Sequence, residues 1–242
     1  MDNFPTWADY LLAIVFGLVL PLTSGIRSAA AFKQKVLLFN GPMRRRFYLG
    51  NSFFLFLIAA VVLLVWLLYR RPIEALGFRM PGTDFHTITW ILSGLFLFLY
   101  MADSLHSSWE MSQEPDGSND LLEKAPFMPT EKDDLPTNII MCISAAVFEE
   151  IVFRGFLISF FAKIFQGISG AVTWALLAPA IIFSIAHYYQ GAKAVFKIAV
   201  LSFLFGMVYW YSGSLLPVII LHFIVDLVSG LLCVFYAGVK GK

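Results

Sequence analysis

The sequence is poor in charge. Of its 242 residues only 14% are Asp, Glu, Lys or Arg, while 59% are hydrophobic and 17% aromatic. A soluble globular domain carries about 25% charged residues. With a mean hydropathy of +0.78, a water-soluble sphere of this size would hold more apolar side chain than its interior can bury. That excludes a soluble enzyme, and the same composition excludes a disordered chain. The net charge of +1 gives no basic surface, so no nucleic-acid partner is expected. Cysteine is scarce too: Cys142 and Cys233 both sit in apolar runs and read as small hydrophobes without a disulfide framework. Residues 1–10 contain no Lys or Arg. A secretory signal needs a basic start, so the first apolar stretch reads as a retained span. No internal repeat is visible, and we expect no soluble domain before, between or after the apolar segments.

What is there is a series of long apolar runs. A membrane-crossing helix needs about 20 mostly apolar residues, and seven stretches qualify: 7–24, 52–69, 88–105, 136–165, 170–190, 194–212 and 215–238. Lipid offers no partners for backbone amides, so these must be helices. The expectation is an all-α polytopic transmembrane bundle of about seven spans, eight if a weaker segment counts, enclosing a polar intramembrane cavity. It forms one integral membrane domain over 1–242, with N-terminal spans and loops in 1–136 and core spans in 137–238. Residues 28–42 read as an interfacial amphipathic helix. The loop at 25–51 is basic and that at 106–136 is acidic, with a Pro115-Asp116-Gly117 turn signal. The acidic loop reads as solvated, with a substrate-facing lid as the other reading. Arg44-Arg45-Arg46 reads as an inside anchor, and the Lys/Arg bias puts the N-terminus outside. Trp7, Trp174 and Trp210 fit interfacial belts.

Ionisable groups at membrane depth cost at least about 2.5–3.5 kcal/mol each on insertion scales. Most runs avoid them, but the fourth holds Glu149, Glu150 and Arg154. Glu150 and Arg154 are four apart and share a helix face, which suggests a structural ion pair. Glu149 points about 100° away and is left for another task. His187 ends the fifth run, and His222 and Asp226, again four apart, lie in the seventh. His86 and His106 flank the third and read as interfacial. Brought into one cavity, these groups can activate water. Glu149 would be the general base, a histidine would orient the water, and the remaining His and Asp would serve the developing oxyanion. The same groups could instead bind a divalent metal such as zinc, and spacing does not decide between the two. There is no His-Glu-x-x-His and no Gly-x-Ser-x-Gly.

The three clusters resemble the motifs of the CPBP intramembrane proteases, the CAAX prenyl protease 2-like or Abi family. Glu149, Glu150 and Arg154 match Glu-Glu-x-x-x-Arg. Phe183 and His187 match Phe-x-x-x-His. His222 and Asp226 match His-x-x-x-Asn/Asp. The resemblance covers about 137–238. It implies an endopeptidase acting within the membrane on a membrane-associated protein or peptide, in eukaryotic relatives a prenylated chain ending in Cys-a-a-X. By position, Glu149 and His187 would activate the water, and His222 and Asp226 would complete the site. Glu150, Arg154 and Phe183 would support them. Metal candidates are Glu149, His187, His222 and Asp226, and the cofactor is a divalent metal or none. Asp226 departs from the commoner Asn, which offers a neutral amide donor, so a histidine-orienting or metal-binding role gains weight. The implied localisation is an integral, multi-pass membrane protein (the cell membrane in a bacterium) in contact with lipid. The alternative is a non-catalytic membrane immunity or binding protein that uses the same cavity.

Overall fold

The computed structural model describes residues 4–35, 40–82, 86–113 and 126–240, which are helical and contain no strand. A first helix runs as α1 (Trp7–Ile14) through a π-helical turn (Val15–Val19) into α2 (Leu20–Lys35). It is followed by α3 (Gly41–Leu68) and α4 (His86–Gln113). Next, α5 (Leu135–Glu150) continues through a π-helical stretch (Ile151–Ile158) into α6 (Ser159–Ile164). Last come α7 (Ala171–Ala186), α8 (Ala192–Ser212) and α9 (Leu215–Lys240).

By length and composition five helical segments can cross a membrane: Trp7–Ser28, Gly41–Leu68, Thr87–Ser104, Ala192–Ser212 and Leu215–Phe235. The protein is therefore an integral, multi-pass membrane protein. The other two stretches expected from hydropathy are also helices, but they fall short of the same measure. Ala171–Ala186 has only 16 residues. The α5–α6 helix carries Glu149, Glu150 and Arg154 across a π-helical widening.

Helix ends follow local chemistry. The Asn40 side chain accepts from the Met43 amide at 3.0 Å and starts α3, well before the apolar run. Thr6 donates its amide to Asp9 Oδ2 at 2.6 Å and so ties off α1. Gly213 at φ +61 breaks α8 from α9. Residues 28–35 prolong the first helix, and 36–39 lie outside the described residues. The turn signal at Pro115–Gly117 lies outside them as well, while α4 carries the chain through residues 106–113.

In lipid no hydrophobic force pushes helices together, so close packing and polar contacts must hold the bundle. The helix α5 packs along both α3 and α9, α7 lies between α2 and α8, and α4 closes on α8 and α9. Small residues line these seams: Ser144, Ala145 and Ala146 on α5, Ala175 and Ala180 on α7, and Ser202 and Gly206 on α8 are buried. Two glycines permit close approaches. A Cβ on Gly155 would lie 2.9 Å from the Leu76 carbonyl oxygen. One on Gly25 would collide with the Ile185 carbonyl, which sits two residues before His187. Large apolar side chains such as Phe53, Trp90, Phe98 and Phe196 face outward toward lipid. Trp7, Trp174 and Trp210 are among the exposed ones.

Among the described residues, the basic segment pairs with the C-terminal end of the acidic one. Arg44 is buried, with Nε donating to Asp134 Oδ2 at 2.7 Å and Nη2 to Glu131 Oε1 at 3.3 Å. Arg45 reaches Asp134 Oδ1 at 3.4 Å. The reading of Arg44 as a simple inside anchor is corrected by this burial. At the other end of the bundle Arg71 holds Asp9 through two 2.7 Å bonds, from Nη1 to Oδ1 and from Nη2 to Oδ2.

Candidate active site

The site forms where α5 meets α9. Glu150 is fully buried, and Glu149, one residue earlier, is only partly covered. The π-helical stretch begins just after this pair, an irregularity often found at functional positions. Arg154, within it, is 2% exposed. Its Nη1 donates to Glu150 Oε1 at 2.9 Å. Its Nη2 donates to Ser202 Oγ at 2.8 Å and to the Ser202 carbonyl at 3.3 Å. The guanidinium lies 5.1 Å from the Phe183 ring centre and 5.2 Å from that of Phe205. Two aromatic rings thus supply cation–π contacts in a desolvated place.

Glu150 does more than hold Arg154. The same Oε1 accepts Nδ1–H of His222 at 2.7 Å. A carboxylate paired with a guanidinium is an acceptor, so the proton on that bond belongs to the imidazole. The opposite nitrogen, Nε2, lies 3.5 Å from Asp226 Oδ2 and 3.9 Å from Glu149 Oε2. His222 therefore sits among three carboxylates drawn from the first and third motifs. The second oxygen of Glu150 is buried without a hydrogen-bond partner among the described residues.

His187 stands at the end of α7, and its Nδ1 donates to the Phe183 carbonyl at 2.9 Å. A carbonyl can only accept, so His187 too has its Nδ1 proton fixed, and Nε2 is the edge left for another partner. Phe183 is the shared neighbour, with ring centres 4.7 Å from His187 and 6.2 Å from His222. The structure thus links Glu149, Glu150, Asp226 and Arg154 through His222 and Glu150, sets Phe183 against Arg154, and joins His187 to them through Phe183. His106 is exposed on α4, and the side chain of His86 lies outside the described residues.

Ser202 and Phe205 belong to no motif and were missed by the sequence reading. Both lie on α8, three apart on one face. The only signal for them was a lone hydroxyl inside the apolar run 198–208.

A metal centre needs three or more ligands converging on one point. Among the described residues no group of three His, Cys, Asp or Glu is placed to hold a metal ion. Glu150 already occupies Nδ1 of His222. Glu149, His187, His222 and Asp226 as arranged do not form a ready metal site. A surface hollow lined by Phe4, Ser159, Ala162, Lys163, Gln166 and Trp210 lies along α6, and none of the motif residues lines it.

No curated protein and no solved structure matches the chain. Residues 132–228 match the family model described as type II CAAX prenyl endopeptidase Rce1-like. That span begins just before α5 and ends just after Asp226, so it takes in all three motifs and every contact of the site. The match covers less than half of the chain, it is to a family of prenyl endopeptidases, and it agrees with the resemblance drawn from the motifs over that span.

Proposed function

We propose that the protein is an intramembrane endopeptidase that hydrolyses a peptide bond near the C-terminus of a membrane-associated, prenylated protein of Cys-a-a-X type. The observation that carries this reading is the meeting of Glu149 and Asp226 at Nε2 of His222, whose Nδ1 is held by Glu150. The α5–α6 helix and α7 would then also lie at membrane depth, which completes seven spans around a polar cavity.

In this mechanism Glu149 takes a proton from water as the hydroxide attacks the scissile carbonyl carbon. His187, with Nδ1 committed to Phe183, uses Nε2 to orient that water. The carbonyl π electrons move to oxygen, and His222, acting as the imidazolium with Nδ1–H on Glu150, turns its Nε2–H to the resulting oxyanion. Asp226, an acceptor where a relative would offer an amide donor, shares and positions the Nε2 proton. Glu149 then returns its proton to the leaving nitrogen, the C–N bond breaks, and a carboxylate and an amine depart. Glu150 and Arg154 keep His222 in register and take no part in proton transfer.

The test is cleavage of a farnesylated peptide ending in Cys-a-a-X by purified protein in nanodiscs. Glu149→Gln keeps size and shape and removes the base, so kcat should fall about 10²–10⁴-fold. Equal turnover by wild type and Glu149→Gln would overturn the assignment of Glu149 as the base, and no cleavage by the wild type would favour a non-catalytic binding protein.

A further inference from the structure

We propose that Ser202, on the one core helix that carries none of the three motifs, is a positioning residue for His222. This deepens the peptidase reading and rests on it for the catalytic consequence, though not for the geometry. Four residues form a continuous line through the bundle. Ser202 Oγ accepts Arg154 Nη2 at 2.8 Å. Arg154 Nη1 donates to Glu150 Oε1 at 2.9 Å. The same Oε1 accepts His222 Nδ1–H at 2.7 Å. The line runs from α8 through the π-helical stretch to α5 and on to α9. Ser202, Arg154, Glu150 and His222 are all more than nine-tenths buried, so water cannot replace a missing partner.

Each member has a reason to be there. Arg154 carries only donors and presents them in a rigid plane. That plane is set by Phe183 on α7 and Phe205 on α8. Rotation within it is not set by the rings, because a ring face attracts a cation at any angle about its normal. The hydroxyl of Ser202 supplies the missing constraint. With Nη2 pinned to Ser202, Nη1 must meet Glu150, and Glu150 Oε1 must then face Nδ1 of His222. The Ser202 carbonyl at 3.3 Å is a longer contact that any residue at 202 would keep. The hydroxyl is the part that only Ser or Thr brings. Its effect on His222 is to settle which nitrogen Glu150 holds, and so which nitrogen faces Glu149 and Asp226. Buried networks of this kind act as a unit, and changes at one end are felt at the other.

The experiment compares Ser202→Ala, Ser202→Thr and Ser202→Val in nanodiscs. Thr keeps the hydroxyl, and Val has the shape of Thr without it. Two readouts are taken: peptide cleavage, and the ¹⁵N and ¹H signals of the His222 ring. Ala and Val should shift or broaden the Nδ1–H signal of His222 and lower kcat roughly tenfold, as misplacement of a reacting group does, with KM unchanged. Thr should restore both. Thr and Val behaving alike, or ring signals unmoved in Ala and Val, would overturn the proposal. A wild type that cleaves no peptide, with ring signals that still move in Ala and return in Thr, would remove the peptidase reading and leave the positioning role standing.

Discussion

At Arg154 the chain buries a guanidinium among tightly packed side chains and gives both terminal nitrogens a partner. Glu150 and Ser202 take its nitrogens, and Phe183 and Phe205 flank it. Truncating Arg154 strips the buried Glu150 of its guanidinium and leaves it only His222, and breaking a buried ion pair typically costs about 3–5 kcal/mol. Removing both charges leaves no orphan. We therefore expect Arg154→Met to lower the melting temperature in detergent strongly, and Glu150→Gln combined with Arg154→Met to recover part of that loss. Thermal unfolding of the wild type, both singles and the double makes the cycle, and a double mutant as unstable as the summed singles would remove the pair as an energetic unit. Arg154→Lys should fail as well, because an ammonium cannot bond two partners in one plane. The six ionisable members of this site were legible in the sequence because a charge inside an apolar run is conspicuous. The bond from Glu150 to His222 was not, since 72 residues separate them and no helical period links positions so far apart. Phe205 was hidden for a different reason: it is one of 25 phenylalanines, and nothing in its neighbours marks it.

Among the helices, the widened stretch after Glu150 is where packing is least forgiving. The turn Ile73–Leu76 rests on it, and Leu76 is fully buried there. Gly155 lets the Leu76 carbonyl approach, with room for no side chain. Because the obstacle is backbone, Gly155→Ala should cost about 1–3 kcal/mol as an overpacking change. Gly50, in α3, has nothing within 4 Å of where its Cβ would lie, so Gly50→Ala should be neutral or stabilising by up to about 1 kcal/mol. Chemical denaturation of the two variants checks this, and equal effects would mean that the close approach at Leu76 is not limiting. Hydropathy located the helices but not their ends. It marks the part of a helix that lipid can cover, while the helix itself runs on until a cap or a break stops it. Hence α3 starts at Gly41, after its Asn40 cap, rather than near residue 52, and α4 continues to Gln113. The fifth run was read four residues too long, because α7 ends at Ala186 and His187 leaves the helical backbone with ψ +15.

Across the whole molecule, ion pairs latch the ends of helices that are distant in sequence. Asp9 with Arg71 closes one end of the bundle, and Arg44 and Arg45 with Asp134 close part of the other. The second latch joins α3 to the segment that leads into α5, and so connects the N-terminal helices to the helices that carry the three motifs. Asp134 is fully buried and also accepts from the Thr130 and Glu131 amides at 3.3 and 3.4 Å. A contrasting pair, Lys197 with Asp103 at 2.6 Å, links α8 to α4 with both side chains more than a third exposed. Exposed pairs contribute about 0–1 kcal/mol and are screened by salt. Loss of one partner from a buried pair costs several times more. Asp134→Asn should therefore lower thermal stability markedly at both low and high salt and speed proteolysis around residues 126–134. Asp103→Asn should change little, and less still at 1 M salt. Matched melting curves and limited proteolysis in the same detergent give the comparison. If Asp134→Asn were as mild and as salt-sensitive as Asp103→Asn, the N-terminal helices would not be held to the core by this latch.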